Sequence, residues 1–238
     1  RVQSVALRLI VDREREILAF NHEAYYKVEA HFHPENSPEK TIIKVALDRR
    51  LPDIEAAQAF LEKCIGAEFK VDSIEKKEGN RFPAAPFTTS TLQQEAARKL
   101  RFSVSQTMSI AQKLYEHGLI TYMRTDSTNL SSLAIGKAKE FICDNFGEEY
   151  SKVRQYKTKA KGAQEAHEAI RPTYIENTTI EGTPQEKRLY ELIWKRTVAS
   201  QMADARILKT DIKVSSDKGE EKFNVQASEV LFDGFLKL

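Results

Sequence analysis

The composition of this 238-residue chain is that of a folded globular protein, with 41% hydrophobic and 30% charged residues. No apolar run approaches the roughly 20 residues that span a bilayer, and no signal-peptide pattern opens the chain. We therefore expect a cytoplasmic protein with no membrane partner. The net charge of +2 does not by itself indicate a nucleic-acid-binding protein. Cys64 and Cys143 form no metal-ligand pattern and are expected to be reduced core thiols.

The first eighty residues combine one helix with β-strands. Apolar residues from Val2 to Phe20 follow helical spacing. Since the chain enters directly on this pattern at Arg1, we expect it to be a piece of a longer protein. Alternating apolar and polar residues predict strands over 25–32, 41–47 and 69–76, the last followed by a charged turn over 77–80. Asp53 is predicted to cap a helix between the second and third strands.

Helices are predicted to dominate after Pro83. N-cap patterns predict helices that begin near Thr91, Ser103, Ser131 and Thr183. Residues 119–122 have the composition of a strand and directly follow the second of these helices. Two further strands are predicted over 208–215 and 223–227.

These elements predict an α+β fold in which a helical domain is inserted into a discontinuous β-rich domain. The helical domain covers residues 83–205, and the β-rich domain is formed by residues 21–82 and 206–238. Strands from before residue 83 and after residue 205 are expected to pair with each other. The helical domain has a winged-helix-like outline of helix, turn, helix and strand, with the helix over 103–117 as the recognition-helix candidate.

The chemistry of the chain is expected at Tyr122 and Arg124. Positions two apart on a strand share a face, so both side chains are predicted to approach one phosphate. A tyrosine hydroxyl with its ordinary pKa near 10 attacks poorly unless cationic groups stabilise the developing charge. Arginine suits that task because it stays charged and binds two phosphate oxygens at once. The competing interpretation is an ordinary pair of surface residues, since this spacing alone is weak.

Four segments resemble type IA DNA topoisomerases, in family order and over essentially the whole chain. They are Arg1-Val2-Gln3-Ser4, Pro86-Phe87-Thr88-Thr89-Ser90-Thr91-Leu92-Gln93, Gly118-Leu119-Ile120-Thr121-Tyr122-Met123-Arg124-Thr125-Asp126-Ser127 and Ala166-His167-Glu168-Ala169-Ile170-Arg171-Pro172-Thr173. Methionine at position 123 is similar to the bacterial topoisomerase I branch rather than the topoisomerase III branch, which usually has proline there.

The resemblance implies roles for individual residues. Tyr122 matches the nucleophile that becomes joined to the 5′ side of a single-strand break, and Arg124 matches the arginine that contacts the scissile region. His167 matches a histidine of the active-site hydrogen-bond network. DNA-binding roles are implied for Arg1, Val2, Gln3, Gln112, Tyr115, Glu116 and Arg171. For Tyr115 a helix face packed on its neighbours is an equal alternative, and Arg171 is either a phosphate contact or a partner for a helix end.

The resemblance also implies partners that this chain does not itself provide. The family's Toprim domain holds Mg²⁺ on an acidic cluster, and the chain contains no Asp-x-Asp-x-Glu motif. We therefore expect Mg²⁺ to act in the longer enzyme only, and the chain alone not to relax supercoils. The expected substrate is single-stranded or underwound DNA, in a nucleoid-associated enzyme. Residues 1–20 match the end of the family's DNA-groove domain, and the β-rich domain matches its flexible arch.

Other interpretations remain open. A non-enzymatic winged-helix module would need a basic recognition helix, whereas residues 103–117 offer only Lys113 against Glu116. A hinge module that opens a ring-shaped enzyme is compatible with the first interpretation. A tyrosine recombinase or type IB enzyme does not fit the flanking segments. A basic run is expected to be a solvated loop rather than a phosphate contact, and it consists of Lys152, Arg154, Lys157, Lys159 and Lys161.

Overall fold

The computed structural model describes residues 2–35, 37–38, 41–156 and 168–238. The chain divides into two compact units, one formed by Arg1–Lys76 and Thr210–Ala227 and the other by Lys77–Lys209 and Ser228–Leu238. Each unit has its own hydrophobic core. The protein is thus an α+β protein in which each of the two units is assembled from two separate stretches of chain.

In the described residues there are six α-helices and five strands. In chain order they are α1 (Val2–Leu18), β1 (Glu29–Phe32), β2 (Ile43–Leu47), α2 (Ile54–Cys64), β3 (Phe69–Arg81), α3 (Thr89–Glu95), α4 (Val104–Glu116), α5 (Ser132–Phe146), α6 (Pro184–Ser200), β4 (Ala205–Ser216) and β5 (Lys222–Phe232). A π-helical turn (Ala96–Leu100) follows α3, and short 3₁₀ turns occupy Glu148–Tyr150 and Gly234–Lys237.

The described strands form one sheet in the order β1-β2-β5-β4-β3. β1 and β2 are antiparallel, with Ala30 opposite Val45, and β2 is antiparallel to β5, with Leu47 opposite Phe223. Strands from the two ends of the chain therefore pair, as the sequence predicted. The core of this unit places α2 against the sheet through buried residues, which are Val45, Leu47, Leu51, Ala57, Phe60, Val214 and Phe223.

The strand boundaries differ from the predicted ones. β1 begins at Glu29 rather than near residue 25, and β5 continues to Phe232 rather than ending near residue 227. The charged turn predicted over 77–80 is wrong, because β3 continues through these residues to Arg81. β3 is the last strand in the sheet order and is mostly exposed. An exposed edge strand accepts charged side chains, so charge did not mark a turn here.

The helices of the second unit begin largely where their caps predict. Ser103, Ser131 and Thr183 each accept a hydrogen bond from the backbone N–H three residues later, which satisfies an otherwise unpaired helix N–H. The cap predicted at Thr91 is wrong. Thr88 is the N-cap of α3, and Thr91 instead takes the third helical position of a reciprocal capping box.

The second unit packs its helices around one apolar core. Each of the helices α3 to α6 contributes to the largest fully buried side chains of this core, which include Phe87, Leu92, Leu114, Ile120, Ile142, Tyr190 and Ile193. Trp194, the one tryptophan of the chain, lies in this core and donates its indole N–H to the carbonyl of Ile175 at 2.7 Å. Because Ile120 and Met123, on either side of Tyr122, both belong to this core, the core fixes the chain on which Tyr122 lies.

Candidate active site

The Tyr122 segment leaves α4 through a tight turn and then pairs briefly with a distant stretch of chain. Gly118 has φ +70, a left-handed conformation that glycine adopts without strain. Ile120 forms an isolated antiparallel bridge with Pro172. The N–H of Thr121 donates to Arg171 O at 2.9 Å, and the N–H of Thr173 donates to Leu119 O at 3.0 Å.

The strand predicted over 119–122 is therefore wrong, since these residues form one bridge and no ladder. The ladder does not extend because the next donors on both sides are used elsewhere. The N–H of Arg171 donates to the Thr121 hydroxyl at 3.0 Å, and the N–H of Leu119 donates to Leu114 O at 2.9 Å. The helix, turn and helix of the predicted winged-helix outline are present as α3, the π-helical turn and α4. The strand that should complete this outline is absent from the described residues at 119–122.

Burial alternates along the segment although no strand forms. Tyr122, Arg124 and Asp126 are exposed. Met123, Thr125 and Ser127 are buried, with exposures of 4%, 8% and 1%. The predicted period of two is thus present, and Tyr122 and Arg124 both project away from the core. A phenol and a guanidinium placed in this way are both accessible to a phosphate in solution.

The exposed face of α4 lies beside Tyr122. The rings of Tyr115 and Tyr122 are in edge-to-face contact, with centroids 5.3 Å apart. Gln112 and Glu116 are exposed on the same helix and joined by a hydrogen bond of 2.9 Å from the Gln112 amide to the Glu116 carboxylate. Tyr115 is 42% exposed, so it is not a residue packed into the core. The structure brings Tyr115 to Tyr122, and Gln112 lies one helical turn before both Tyr115 and its own partner Glu116.

Two threonine hydroxyls hold the backbone of the segment, and the sequence analysis assigned a role to neither. The Thr121 hydroxyl donates to Ala169 O at 2.6 Å and accepts from the N–H of Arg171 at 3.0 Å. The Thr89 hydroxyl lies 2.8 Å from Met123 O and accepts from the N–H of Thr125 at 2.9 Å. Both threonines lie within the family-like segments, but the partners are 34 to 50 residues away. No local pattern predicts such contacts.

Arg171 is occupied by a carboxylate in the same family-like segment. Its guanidinium donates to Glu168 at 2.6 Å and to Pro172 O at 2.9 Å. Its side chain is only 15% exposed. The predicted helix end is absent, because the described residues 168–171 are not helical. Arg171 therefore pairs with Glu168 rather than with a helix end, and it is largely shielded from solvent. A DNA contact through this guanidinium would compete with Glu168.

Glu168 links this segment to the start of α5. Its carboxylate accepts from the N–H of Ser131, the α5 N-cap, at 2.6 Å and also from Arg171. Burial raises the pKa of the Glu168 carboxyl, but the hydrogen bonds from Arg171 and Ser131 outweigh burial, and the pKa lies below its ordinary value of 4.5. Glu168 thus stays ionised and fixes the chain on which Arg171 lies. An acid three residues before an arginine was the signal in the sequence that would have revealed this pair.

Several candidate residues lie elsewhere. Arg1, His167, Lys157, Lys159 and Lys161 lie outside the described residues. Val2 and Gln3 belong to the first unit, where both are exposed at the start of α1. The expectation of a solvated loop is wrong for Arg154, whereas the Lys152 side chain is 53% exposed. Arg154 is 16% exposed, donates to Ser200 O at 3.1 Å and to Met202 O, and with Lys152 pairs with buried Asp204. Arg154 thus closes the C-terminal end of α6.

Across the described residues, no group of three or more His, Cys, Asp or Glu residues is arranged to hold a metal ion. None of the described helices is long and apolar enough to cross a membrane.

Comparison with known proteins is consistent with this geometry. The sequence profile of the family described as "DNA topoisomerase" matches residues 1–238. The chain is 46% identical to DNA topoisomerase 1 of Zymomonas mobilis and 46% identical to that of Mycolicibacterium smegmatis, covering 100% of this chain and 20% and 29% of those proteins. Full-length topoisomerase I from Thermotoga maritima superposes with a TM-score of 0.80 and 36% identity over 99% of this chain and 39% of its own. The chain thus spans less than half the length of the relatives it matches.

Proposed function

This chain belongs to the type IA DNA topoisomerase family, and we propose that within a longer enzyme of that family it supplies Tyr122 as the nucleophile that cleaves one DNA strand. The enzyme would relax negative supercoils by passing another strand through the break. One observation carries the proposal. Tyr122 and Arg124 are both exposed, two residues apart on a segment that is held in place on both sides.

In the proposed reaction, the Tyr122 oxygen attacks a backbone phosphorus and the bond from phosphorus to the 3′ oxygen breaks. The phenol loses its proton, and the departing 3′ oxygen gains one to become a hydroxyl. The product is a 5′-phosphotyrosine link. It conserves one phosphoester bond for the one that is broken, so attack by the 3′ hydroxyl reverses the step without ATP.

Arg124 is proposed to bind the non-bridging oxygens of the phosphate and to stabilise the charge that develops on them. Two rigid N–H donors suit this task better than a single ammonium. Gln112, Tyr115 and Glu116 are proposed to line the same site from α4, and His167 to join its hydrogen-bond network. Arg1, Val2 and Gln3 are proposed to contact single-stranded DNA as part of a groove, and Arg171 remains a proposed DNA contact.

The proposed domain roles follow the sequence. Residues 1–20 would end the DNA-groove domain, residues 21–82 and 206–238 would form the arch, and residues 83–205 would carry the nucleophile. Mg²⁺ would be held by the Toprim domain of the longer enzyme. The described residues offer no cluster that fits a metal ion, so none of them is assigned a part in its binding. The chain alone is proposed to be inactive in relaxation.

The experiment is a trapped covalent adduct in the longer enzyme, mapped by mass spectrometry. Tyr122→Phe is expected to abolish the adduct while leaving the affinity for single-stranded oligonucleotides unchanged. Tyr174→Phe is the matched control, because Tyr174 is an exposed tyrosine of the same unit. Cleavage that survives Tyr122→Phe would reject the proposal. If Tyr122→Phe changes neither DNA cleavage nor DNA binding, the non-enzymatic winged-helix module is favoured. Relaxation of supercoiled DNA by the chain alone would reject its proposed inactivity.

A further inference from the structure

We infer that Thr89 is a positioning residue for Tyr122 and Arg124, acting through the backbone that carries both. The inference rests on the proposed function, because it concerns how the nucleophile and its phosphate-binding arginine are held. Thr89 itself is half-buried at the first position of α3 and is not assigned any contact with DNA.

The contacts of Thr89 are concentrated on one short stretch of chain. Its hydroxyl lies 2.8 Å from Met123 O and 3.1 Å from Thr125 O, and it accepts from the N–H of Thr125 at 2.9 Å. Its own N–H donates to Thr125 O at 2.9 Å. A hydroxyl has one hydrogen and donates to one carbonyl at a time, and Met123 O is the nearer. The hydroxyl therefore bridges the residues on either side of Arg124.

Thr89 is itself held firmly. The neighbouring Thr88 caps α3 through a reciprocal capping box with Thr91. Phe87 is fully buried, and its carbonyl accepts from the N–H of Ile170 at 2.8 Å. The bridge thus connects the Arg124 backbone to a helix start that two other interactions fix. On its other side the segment is held by the hydrogen bonds from Thr121 to residues 169 and 171.

Removing the hydroxyl has a local consequence. The N–H of Thr125 and the carbonyl of Met123 would lose this partner, and Thr125 is 8% exposed, so water replaces the hydroxyl poorly. The backbone at 123–125 would shift to recover hydrogen bonds, and the side chains of Tyr122 and Arg124 would move with it. A displacement of about 1 Å at reacting groups costs up to roughly 100-fold in rate. DNA affinity, which draws on many phosphate contacts, would change little.

The test compares three variants of the longer enzyme. Thr89→Val preserves the shape of the side chain and removes the hydroxyl, and Thr89→Ser restores a hydroxyl. Thr183→Val is the matched control, because it also removes a threonine hydroxyl at a helix start in the same unit, that of α6, where the Thr183 hydroxyl accepts from the N–H of Glu186. The measurements are the single-turnover rate of adduct formation on a saturating single-stranded oligonucleotide and the dissociation constant of that oligonucleotide.

We expect Thr89→Val to lower the adduct rate by at least about tenfold with a dissociation constant within about twofold of the original. Thr89→Ser is expected to restore the rate, and Thr183→Val to lower thermal stability without lowering the rate. An unchanged rate in Thr89→Val, or an equal loss in Thr183→Val, would overturn the inference. If Thr89→Val does not fold, Thr89→Ala and hydrogen exchange at the Thr125 amide replace it, with faster exchange expected. Absence of any adduct in the unmodified enzyme would reject the proposed function instead.

Discussion

The ring of Tyr115 meets the ring of Tyr122 edge-on, with planes inclined by 65° and centroids 5.3 Å apart. This arrangement places the positive edge of one aromatic ring against the negative face of the other. Tyr115 lies on α4, a regular helix whose opposite face is buried. The contact therefore restrains the Tyr122 side chain, which lies on a segment without regular structure, by packing it against a regular helix.

Replacing Tyr115 tests this contact directly. Aromatic pairs of this geometry contribute about 0.5–1.5 kcal/mol, so Tyr115→Leu is expected to slow adduct formation by about twofold to tenfold in the longer enzyme. Tyr115→Phe keeps the ring and is expected to keep the rate. An equal loss in both variants would show that the hydroxyl, rather than the ring contact, is what matters.

Arg154 is expected to stabilise the second unit by closing α6. Its guanidinium reaches the carbonyl of Ser200, the last residue of α6, and that of Met202 as well as Asp204, and a lysine ammonium does not reach all three. Arg154→Lys is expected to lower the free energy of unfolding by about 1–3 kcal/mol, measured by urea titration of Trp194 fluorescence. Lys195→Met removes an exposed ion pair with Glu191 and serves as the control, with little change expected. Equal stabilities for the two variants would contradict this role.

Gly234 is expected to tolerate no side chain. Its φ is +49, and a Cβ there would lie 2.5 Å from Ala203 O and 2.6 Å from Asp204 O. Gly234→Ala is expected to destabilise the unit by about 1–3 kcal/mol or more. Gly136 lies within α5 with open space around it, and Gly136→Ala is expected to stabilise by about 0.5–1 kcal/mol. The urea midpoint is expected to fall for Gly234→Ala and to rise for Gly136→Ala, relative to the unmodified chain. An unchanged midpoint for Gly234→Ala would contradict this expectation.

The Glu168 carboxylate is expected to make stability depend on pH. Its pKa in the folded chain lies below the ordinary value of 4.5, so its contribution is present above that value and is lost as pH falls through it towards the folded pKa. Glu168→Gln is expected to lower stability near pH 7 and to flatten this acid-side decline. Glu191→Gln, in an exposed pair, should leave the profile unchanged. Urea titrations between pH 7 and pH 3 measure the difference, and parallel profiles for all three proteins would contradict it.

The parts of the fold that the sequence predicted depend on local contacts. Ser103, Ser131 and Thr183 bond to N–H groups three residues away, so a short pattern suffices to identify them. The alternation of burial around Tyr122 was also local and was predicted correctly.

The parts that were wrong depend on distant partners. The strand expected before Tyr122 fails because the N–H of Arg171, fifty residues away, donates to the Thr121 hydroxyl instead of continuing a backbone ladder. The basic run was expected to be solvated, and the ion pair of Arg154 was missed because its partner Asp204 lies fifty residues away. The hydroxyl of Thr89 illustrates the same limit, since a threonine at a helix start is ordinarily only a cap.

The order of strands in the sheet has a consequence for how the protein is made. β5 and β4 occupy interior positions in the sheet, yet they leave the ribosome after β1, β2 and β3, and Ala46 cannot pair until its partner Asn224 has been synthesised. Until then the nascent chain carries a two-stranded hairpin and a separate β3, each with unpaired backbone groups that neighbouring chains can bind. Chains whose translation stops before residue 205 should therefore aggregate readily and be degraded quickly in the cell.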